Sequence, residues 1–408
     1  MKTPKYYGLD IHRDRIYVTE LSIEEGTVKQ YEITTREKDL AAFLATLGKD
    51  DQVALEATRA SNYYVNRLSS LVASVSVANP SKLQFFTKNA KNDRNDSYSL
   101  ALLLSLGMLP TVWTPDQETR QDREILNYRN SLVQHMARIK NRIRAQMAEH
   151  GITWDGTDIN SACAQRFLLS LKTSLPWASR EVLANQLEEL SLLNERLKRL
   201  EPVIEVRAGR WPEVALLMTI RGVNVLTAFT IMAVIGRIDR FATADSLVNY
   251  AGLSPRQRSS AGKSRNGSIT KAGSKRLRWA LTEAAQSLCR IDGPYRNLCK
   301  RLERKGKGKG VAATACARKL LTTIWCMLTR CEPFHHAEPE SVQSKLDRKE
   351  RRLKAARPFV EEQKKRQHQV ILGQLALLQQ LAYRRMLMPV PLQLMGTFGR
   401  TPTLAATG

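Results

Sequence analysis

The first 112 residues confine this chain to a small set of folds. Three runs rich in β-branched and aromatic residues, Tyr6–Ile11, Arg15–Ser22 and Thr27–Ile33, follow one another across short turn-like gaps. That spacing predicts an antiparallel meander. The pattern then switches to alternation. A helical stretch, Lys38–Leu47, precedes a fourth strand, Gln52–Ala57. A second helical stretch, Ala60–Leu71, precedes a fifth strand, Val72–Ala78, which Asn79-Pro80 closes. A last helix lies near Asp93–Leu106. The predicted order is βββαβαβα, an α/β fold with a mixed sheet.

This is the strand order of the ribonuclease H superfamily, in which the first and fourth strands are neighbours and the last helix packs against them. Four acids stand at those points. Asp10 ends the first strand in YYGLDIHRD and Glu56 ends the fourth in VALEATRA. Asp93 and Asp96 open the last helix in KNDRNDSYSLALLL, three apart and so on one helical face. Singly, each has an ordinary account: a turn residue, a surface acid, or acids favouring a helix N-terminus. Together they predict a metal site, because four converging carboxylates do not stay ionised without cations. Oxygen-only ligands select hard ions, Mg²⁺ or Mn²⁺. A pair of such ions activates a nucleophile and stabilises a leaving oxygen at phosphorus.

The remaining chain reads as all-α. In residues 115–205, Leu132, Met136, Ile139 and Ile143 recur at helical spacing, and Leu183, Leu187, Leu190, Leu197, Leu200 and Ile204 form a second stripe. Two such helices make an antiparallel hairpin, a dimer zipper, or both. Residues 212–334 form a second, mostly helical globular region. Within it Leu217–Ile235 reads as helix, tight turn at Gly222, then helix, similar to a helix-hairpin-helix whose turn amides bind phosphate. From about residue 335 the composition turns to charge; Lys345–Arg357 is dense in it, Pro358 is expected to break the helix, and Val360–Arg385 to form another. The end, Met386–Gly408, is expected to be loose.

The charge of the 408-residue chain is +25, from 64 Lys plus Arg against 39 Asp plus Glu. That surplus favours a polyanionic partner, DNA or RNA, over a neutral one. A membrane is not expected: the apolar run Val225–Ile235 is too short to span a bilayer, and Asp10 and Arg13 fall where a signal segment needs its apolar core. The six cysteines show no CxxC pair and no zinc-ligand spacing with histidine, which predicts buried free thiols and a reducing cytoplasm.

One run concentrates the positive charge. From Gly252 to Leu281 the cations are Arg256, Arg258, Lys263, Arg265, Lys271, Lys275, Arg276 and Arg278, with no acid before Glu283. Serine hydroxyls and glycines lie among them in SSAG and beyond. Such a loop suits a phosphodiester, the cations holding phosphates while the glycines let the backbone approach. It also reads as a solvated basic loop with its hydroxyls there by chance. Lys305–Gly310, KGKGKG, adds Lys307 and Lys309 as candidate phosphate contacts.

With these residues in view, the chain resembles the DEDD transposases of bacterial insertion sequences, the group that includes the pilin invertase Piv. YYGLDIHRD, ALEATRA and KNDRNDSYSLA look like the three acidic motifs of that family, and the stretch from LMTIRGVNVL through GSKRLRWAL looks like its C-terminal transposase domain. The likeness covers about residues 1–335. It implies a RuvC-like DEDD catalytic domain over 1–112, a helical coiled-coil oligomerisation region over 113–210, and a transposase domain over 211–335 bearing a catalytic serine. A charged helical tail, partly disordered, occupies 336–408.

Carried over by position, the resemblance assigns Asp10, Glu56, Asp93 and Asp96 to metal binding and Ser260 to nucleophilic attack, with Ser259 the alternative. It implies a recombinase acting on donor and target DNA, guided by a structured noncoding RNA, working as a dimer or tetramer in the bacterial cytoplasm at the nucleoid. The site would be assembled by domain docking. The competing reading is a RuvC-like endonuclease in which water attacks and Ser260 only contacts phosphate; a nucleic-acid-binding protein with structural acids is a third. Three positions depart from the family pattern: Arg59 and Ala261 stand where glycine is usual, and Val223-Asn224 alters the hairpin turn.

Overall fold

A central strand with a glycine in it organises the N-terminal part of the molecule. β1 (Tyr6–Ile11) pairs antiparallel with β2 (Arg15–Ser22), and β2 with β3 (Thr27–Thr34), the expected meander. After α1 (Glu37–Leu44), β4 (Gln52–Glu56) pairs parallel with β1. After α2 (Ser61–Leu68), β5 (Ser74–Ala78) pairs parallel with β4. The sheet order is β3-β2-β1-β4-β5. The short α3 (Pro80–Leu83) and α4 (Asp93–Ser105) complete this part. The structure, a computed structural model, describes residues 3–83, 93–153, 159, 162–170, 175–260 and 263–387.

Alternation along the strands assigns the two faces. Tyr7, Leu9, Ile11, Val53, Leu55 and Val77 bury against Leu40, Phe43 and Leu44 of α1 and Tyr64 and Leu68 of α2. The opposite face carries small residues, Gly8, Ala54 and Ala78, and receives α4 through Leu100 and Leu103. The result is a three-layer unit, Met1–Asp116.

In the second compact unit, Gln117–Gly408, the described residues are mostly helical. α5 (Gln117–Glu149) is followed by α6 (Ala162–Ser170) and α7 (Trp177–Ala208). Gln146 donates to the Ser179 carbonyl, His135 meets Glu189, and Arg207 reaches Asp122, so α5 and α7 run antiparallel. Leu132, Met136, Ile139 and Ile143 bury against Leu183, Leu190 and Leu193, the antiparallel hairpin among the expected arrangements.

The main core lies beyond this hairpin. α8 (Pro212–Met218), α9 (Val225–Ile235), a short 3-10 turn (Ile238–Arg240), α10 (Ala244–Ala251), α11 (Lys275–Arg290), α12 (Pro294–Arg304) and α13 (Lys309–Arg330) share one cluster around Phe229, Leu281 and Leu320. α13 is long and apolar enough to cross a bilayer, but Ala317, Leu320, Leu321 and Ile324 along it are fully buried in this core.

Three features of this unit differ from the sequence expectations. The basic run is not simply a loop: β6 (Pro255–Ser260) and β7 (Lys263–Ile269) pair antiparallel as a hairpin, which the polar composition hid. Pro358 does not end a helix. α14 runs from Pro339 to Leu387 through it, because one lost backbone hydrogen bond is tolerated where buried Ala356 and Val360 seat both halves. The cysteines are not all buried free thiols. Cys289 on α11 and Cys299 on α12 are disulfide-bonded, the turn between the helices bringing their Cα atoms to 6.0 Å. Cys163 and Cys331 are exposed, while Cys316 is buried with its sulfur 3.1 Å from that of Cys299. The expected loose end from 388 onward lies outside the described residues.

Candidate active site

Period-two alternation puts Gly8, Asp10 and His12 on the same side of β1, the side that receives α4. Gly8 permits the approach. A Cβ there would stand 1.9 Å from the Ser97 carbonyl oxygen and 2.6 Å from the Ala101 amide nitrogen, so only glycine lets the helix backbone rest on the strand. Polar contacts pin the first turns of α4. Ser97 Oγ and Thr19 Oγ1 are 2.8 Å apart and buried, and the Gln30 amide donates to both Thr19 Oγ1 and the Arg94 carbonyl.

This docking brings the acids of α4 to the end of β1. His12 Nε2 lies 3.0 Å from Asp10 Oδ2 and 3.6 Å from Asp93 Oδ1. One ligand atom from each of Asp10, His12 and Asp93 lies within 4.8 Å of the others. Asp10 is 8% exposed, whereas Asp93 and Asp96 are half-buried. Burial pushes the Asp10 carboxyl above the usual carboxylate range; the His12 hydrogen bond and charge draw it back, and the charges of Asp93 and Asp96 push it up again.

Glu56 reaches the same corner by register. β1 and β4 pair Leu9 with Leu55, so Asp10 and Glu56 are the next residues on neighbouring strands. Glu56 also shares its face with Ala54, which packs under α4. The four predicted acids therefore belong to one end of one sheet face.

His12 is the member that sequence reasoning missed. Its only signal was its position two residues past Asp10, just beyond the end of β1. The donor set suits a divalent cation: a buried carboxylate with further carboxylates around it concentrates negative charge at one end of the sheet. Asp10 and Asp93 could offer oxygen atoms to such an ion, with Asp96 and Glu56 near by position, and the His12 ring lies within reach of both Asp10 and Asp93.

The cationic residues divide by environment. Arg256, Lys271, Lys275, Lys307 and Lys309 are exposed. Arg276 is half-buried and donates to the Arg123 carbonyl; burial, with Arg123 nearby, lowers its pKa. Arg278 donates to the carbonyls of Ala251 and Gly273, tying α11 to the loop before it. Ser260 closes β6 and pairs with Lys263; Ser259 pairs with Ser264 and Arg258 with Arg265. Ala261, between the strands, and the side chains of 257–266 lie outside the described residues. Arg59 is exposed ahead of α2. Asn224 serves its own helix, its Oδ1 capping α9 by accepting from the Thr227 amide at 2.9 Å. Gly222, with φ of 80°, makes the turn.

An α/β unit with acids gathered at one sheet end, attached to a strongly basic helical unit, defines a metal-dependent class of enzyme acting on nucleic acid. Comparison with known proteins names the class. Residues 7–152 match the DEDD transposase family of IS110-type elements, and residues 214–300 match the family described as Transposase IS116/IS110/IS902. The transposase of insertion element IS1111A from Coxiella burnetii is 28% identical over 348 residues, covering 82% of this chain and 92% of that one. A probable family 20 transposase of Pseudomonas aeruginosa is 26% identical over 285 residues, 68% and 84% of the two chains. A pilin gene-inverting protein of Moraxella lacunata is 36% identical over 122 residues, 29% of this chain and 38% of that one. The chain belongs to the IS110/IS116 family of DEDD insertion-sequence transposases, enzymes of DNA cleavage and transfer.

Proposed function

We propose that the unit Met1–Asp116 is a RuvC-like catalytic domain whose acids hold Mg²⁺ or Mn²⁺, and that the enzyme recombines DNA through Ser260. The convergence of Asp10, Asp93 and Glu56 on the α4 face of the sheet carries this reading. Asp10, Glu56, Asp93 and Asp96 would hold the metal, with His12 positioned to orient Asp10 and Asp93. A divalent ion held by these residues would supply charge neutralisation at phosphorus and would favour loss of a proton from an attacking hydroxyl. Ser260 Oγ attacks a DNA phosphodiester, a phosphoserine ester forms, and a deoxyribose hydroxyl leaves with a proton. The ester conserves the bond for rejoining to a second strand. Arg256, Arg258, Lys263, Arg265, Lys271 and Lys275 hold flanking phosphates, joined by Arg276, Arg278, Lys307 and Lys309.

The same reading includes a noncoding guide RNA that specifies donor and target by base pairing, and a dimer or tetramer, since strand exchange needs several active sites at once. The regions 113–210 and 211–335 then serve oligomerisation and strand transfer. The resemblance to DEDD transposases and the +25 charge support these partners.

A second reading is favoured by one observation: all four acids and His12 belong to a single compact unit. Such a set is sufficient for a RuvC-like endonuclease in which water attacks. Cleavage of labelled DNA by wild type and Asp10→Asn tests what both readings share. Mg²⁺-dependent cleavage lost in the variant with DNA binding retained supports the acid site; cleavage by the variant at the wild-type rate refutes it.

A further inference from the structure

α14 carries a pattern that a helix packed on its own protein does not ordinarily show. Lys345, Arg348, Lys349 and Arg352 follow at intervals of three, four and seven, one continuous stripe on one helical face. All four line a cavity of about 390 Å³ with Arg129 of α5, Glu201 and Glu205 of α7 and the first turn of α9. An inward face is normally apolar, and Ala356 and Val360 further along α14 obey that rule. Here five cations meet two acids.

The cations have different partners. Lys345 Nζ donates to the carbonyls of Met218, Ile220 and Val223 at 2.9, 2.8 and 3.3 Å, fastening α14 over the Gly222 turn. Arg352 meets Glu205 at 3.3 Å, leaving the other Glu205 oxygen, Oε2, buried without a hydrogen bond. Arg129 and Lys349 are half-buried. Burial lowers the pKa of both, with a carboxylate of α7 opposing it in each case, so the fold holds them charged in a place that disfavours charge. Asn224 and the first turn of α9 complete the wall; Asn224 Oδ1 already caps the Thr227 amide, and the helix start adds its positive dipole end. Apart from the two glutamates and the apolar Ile204, Met218, Val225 and Leu226, the wall suits an anion.

We propose that this cavity is a phosphate-binding subsite for a nucleic-acid backbone, with Arg348 and Lys349 contacting phosphate, Arg129 and the positive end of α9 behind them, and Lys345 as the fastener that sets α14 in place. The subsite lies in the second unit and involves a helix outside both family matches, which end at residues 152 and 300. It rests only on the enzyme's action on DNA, and is independent of which group attacks phosphorus. A phosphodiester comes from DNA or from RNA, and the test separates them.

The full chain is titrated with a labelled DNA duplex of about three helical turns and, separately, with a labelled RNA hairpin, across a salt series. Arg348→Gln/Lys349→Gln is compared with Arg351→Gln/Lys354→Gln, which removes the same charge from exposed positions of the same helix. Loss of two phosphate contacts lowers the slope of log affinity against log salt by about 1.8 for duplex. A fall of that size in the first pair alone supports the subsite, and the nucleic acid that shows it identifies the source. Equal slopes in the two double variants with both probes overturn the proposal. Acetylation footprinting of the wild-type protein gives a check free of folding effects. Nucleic acid should protect Lys349 more than Lys354; equal protection overturns the proposal.

Discussion

Gly8 of β1 and Ser97 of α4 meet backbone to backbone: a Cβ on Gly8 would lie 1.9 Å from the Ser97 carbonyl oxygen. That contact sets the depth at which α4 rests on the sheet, and with it the reach of Asp93 toward Asp10. Gly8→Ala must push the helix away, since the neighbour is backbone and cannot rotate aside. Overpacking of this kind destabilises by about 1–3 kcal/mol. DNA cleavage should fall by roughly tenfold or more in variant protein shown to be folded by circular dichroism, as expected when reacting groups are misplaced by an ångström. Wild-type cleavage in a folded Gly8→Ala variant would show that α4 does not position the acids.

Metal binding should register as stability. A divalent ion that binds only the folded site adds about 3 kcal/mol at roughly a hundred times its dissociation constant. Thermal melts of wild type should therefore rise with Mg²⁺ or Mn²⁺, while those of Asp10→Asn stay flat. Without metal the order reverses at neutral pH: burial and the neighbouring acids hold the Asp10 carboxyl above the usual range, so the ionised form opposes folding and Asp10→Asn melts higher.

The α5–α7 hairpin depends on a buried charge pair. Arg207 Nε donates to Asp122 Oδ1 at 2.5 Å, and the Trp211 indole donates to Asp122 Oδ2 at 2.8 Å. Asp122 is 2% exposed. Arg207→Ala leaves that carboxylate buried and uncompensated, a loss of about 3–5 kcal/mol. Chemical denaturation measures it. A loss below about 1 kcal/mol would place the pair with surface ion pairs instead.

Glu205 predicts a pH dependence. Burial raises its pKa; Arg352 opposes that rise by hydrogen bond and charge. A raised carboxyl gives stability that is full below the ordinary range, near about 4.3, and is lost as pH rises through the folded value. Glu205→Gln carries no such proton. Its melting temperature relative to wild type should climb as pH goes from about 4 to about 7. A constant difference over that range would contradict the raised value.

Much of the fold was legible in the sequence because two periodicities were clear. Alternation in β1 to β5 announced the sheet and its order, and the spacing of Leu132, Met136, Ile139 and Ile143 announced the α5 stripe. Asp10, Glu56, Asp93 and Asp96 were legible as a group because the predicted topology gave them a common corner. Other features were hidden for identifiable reasons. The β6–β7 hairpin has almost no apolar alternation, so nothing distinguished it from a polar loop. His12 sat beside an acid motif without a signal of its own. The Cys289–Cys299 pairing depends on a turn between two helices, which a separation of 10 residues does not reveal. The path of α14 through Pro358 depends on tertiary packing of Ala356 and Val360, and so did the inward turn of its basic stripe.

The proposed chemistry has a serine, assisted by the acid site, carry DNA through a covalent intermediate. To test it, end-labelled donor DNA is incubated with the protein, Mg²⁺ and the RNA that co-purifies with it, and resolved on a denaturing gel before and after protease. Serine attack predicts a label that migrates with protein, collapses on protease treatment, and disappears in both Ser260→Ala and Asp10→Asn, while Ser260→Ala still binds DNA. Cleaved DNA with no protein-linked label, undiminished in Ser260→Ala and lost in Asp10→Asn, would contradict it and make water the nucleophile.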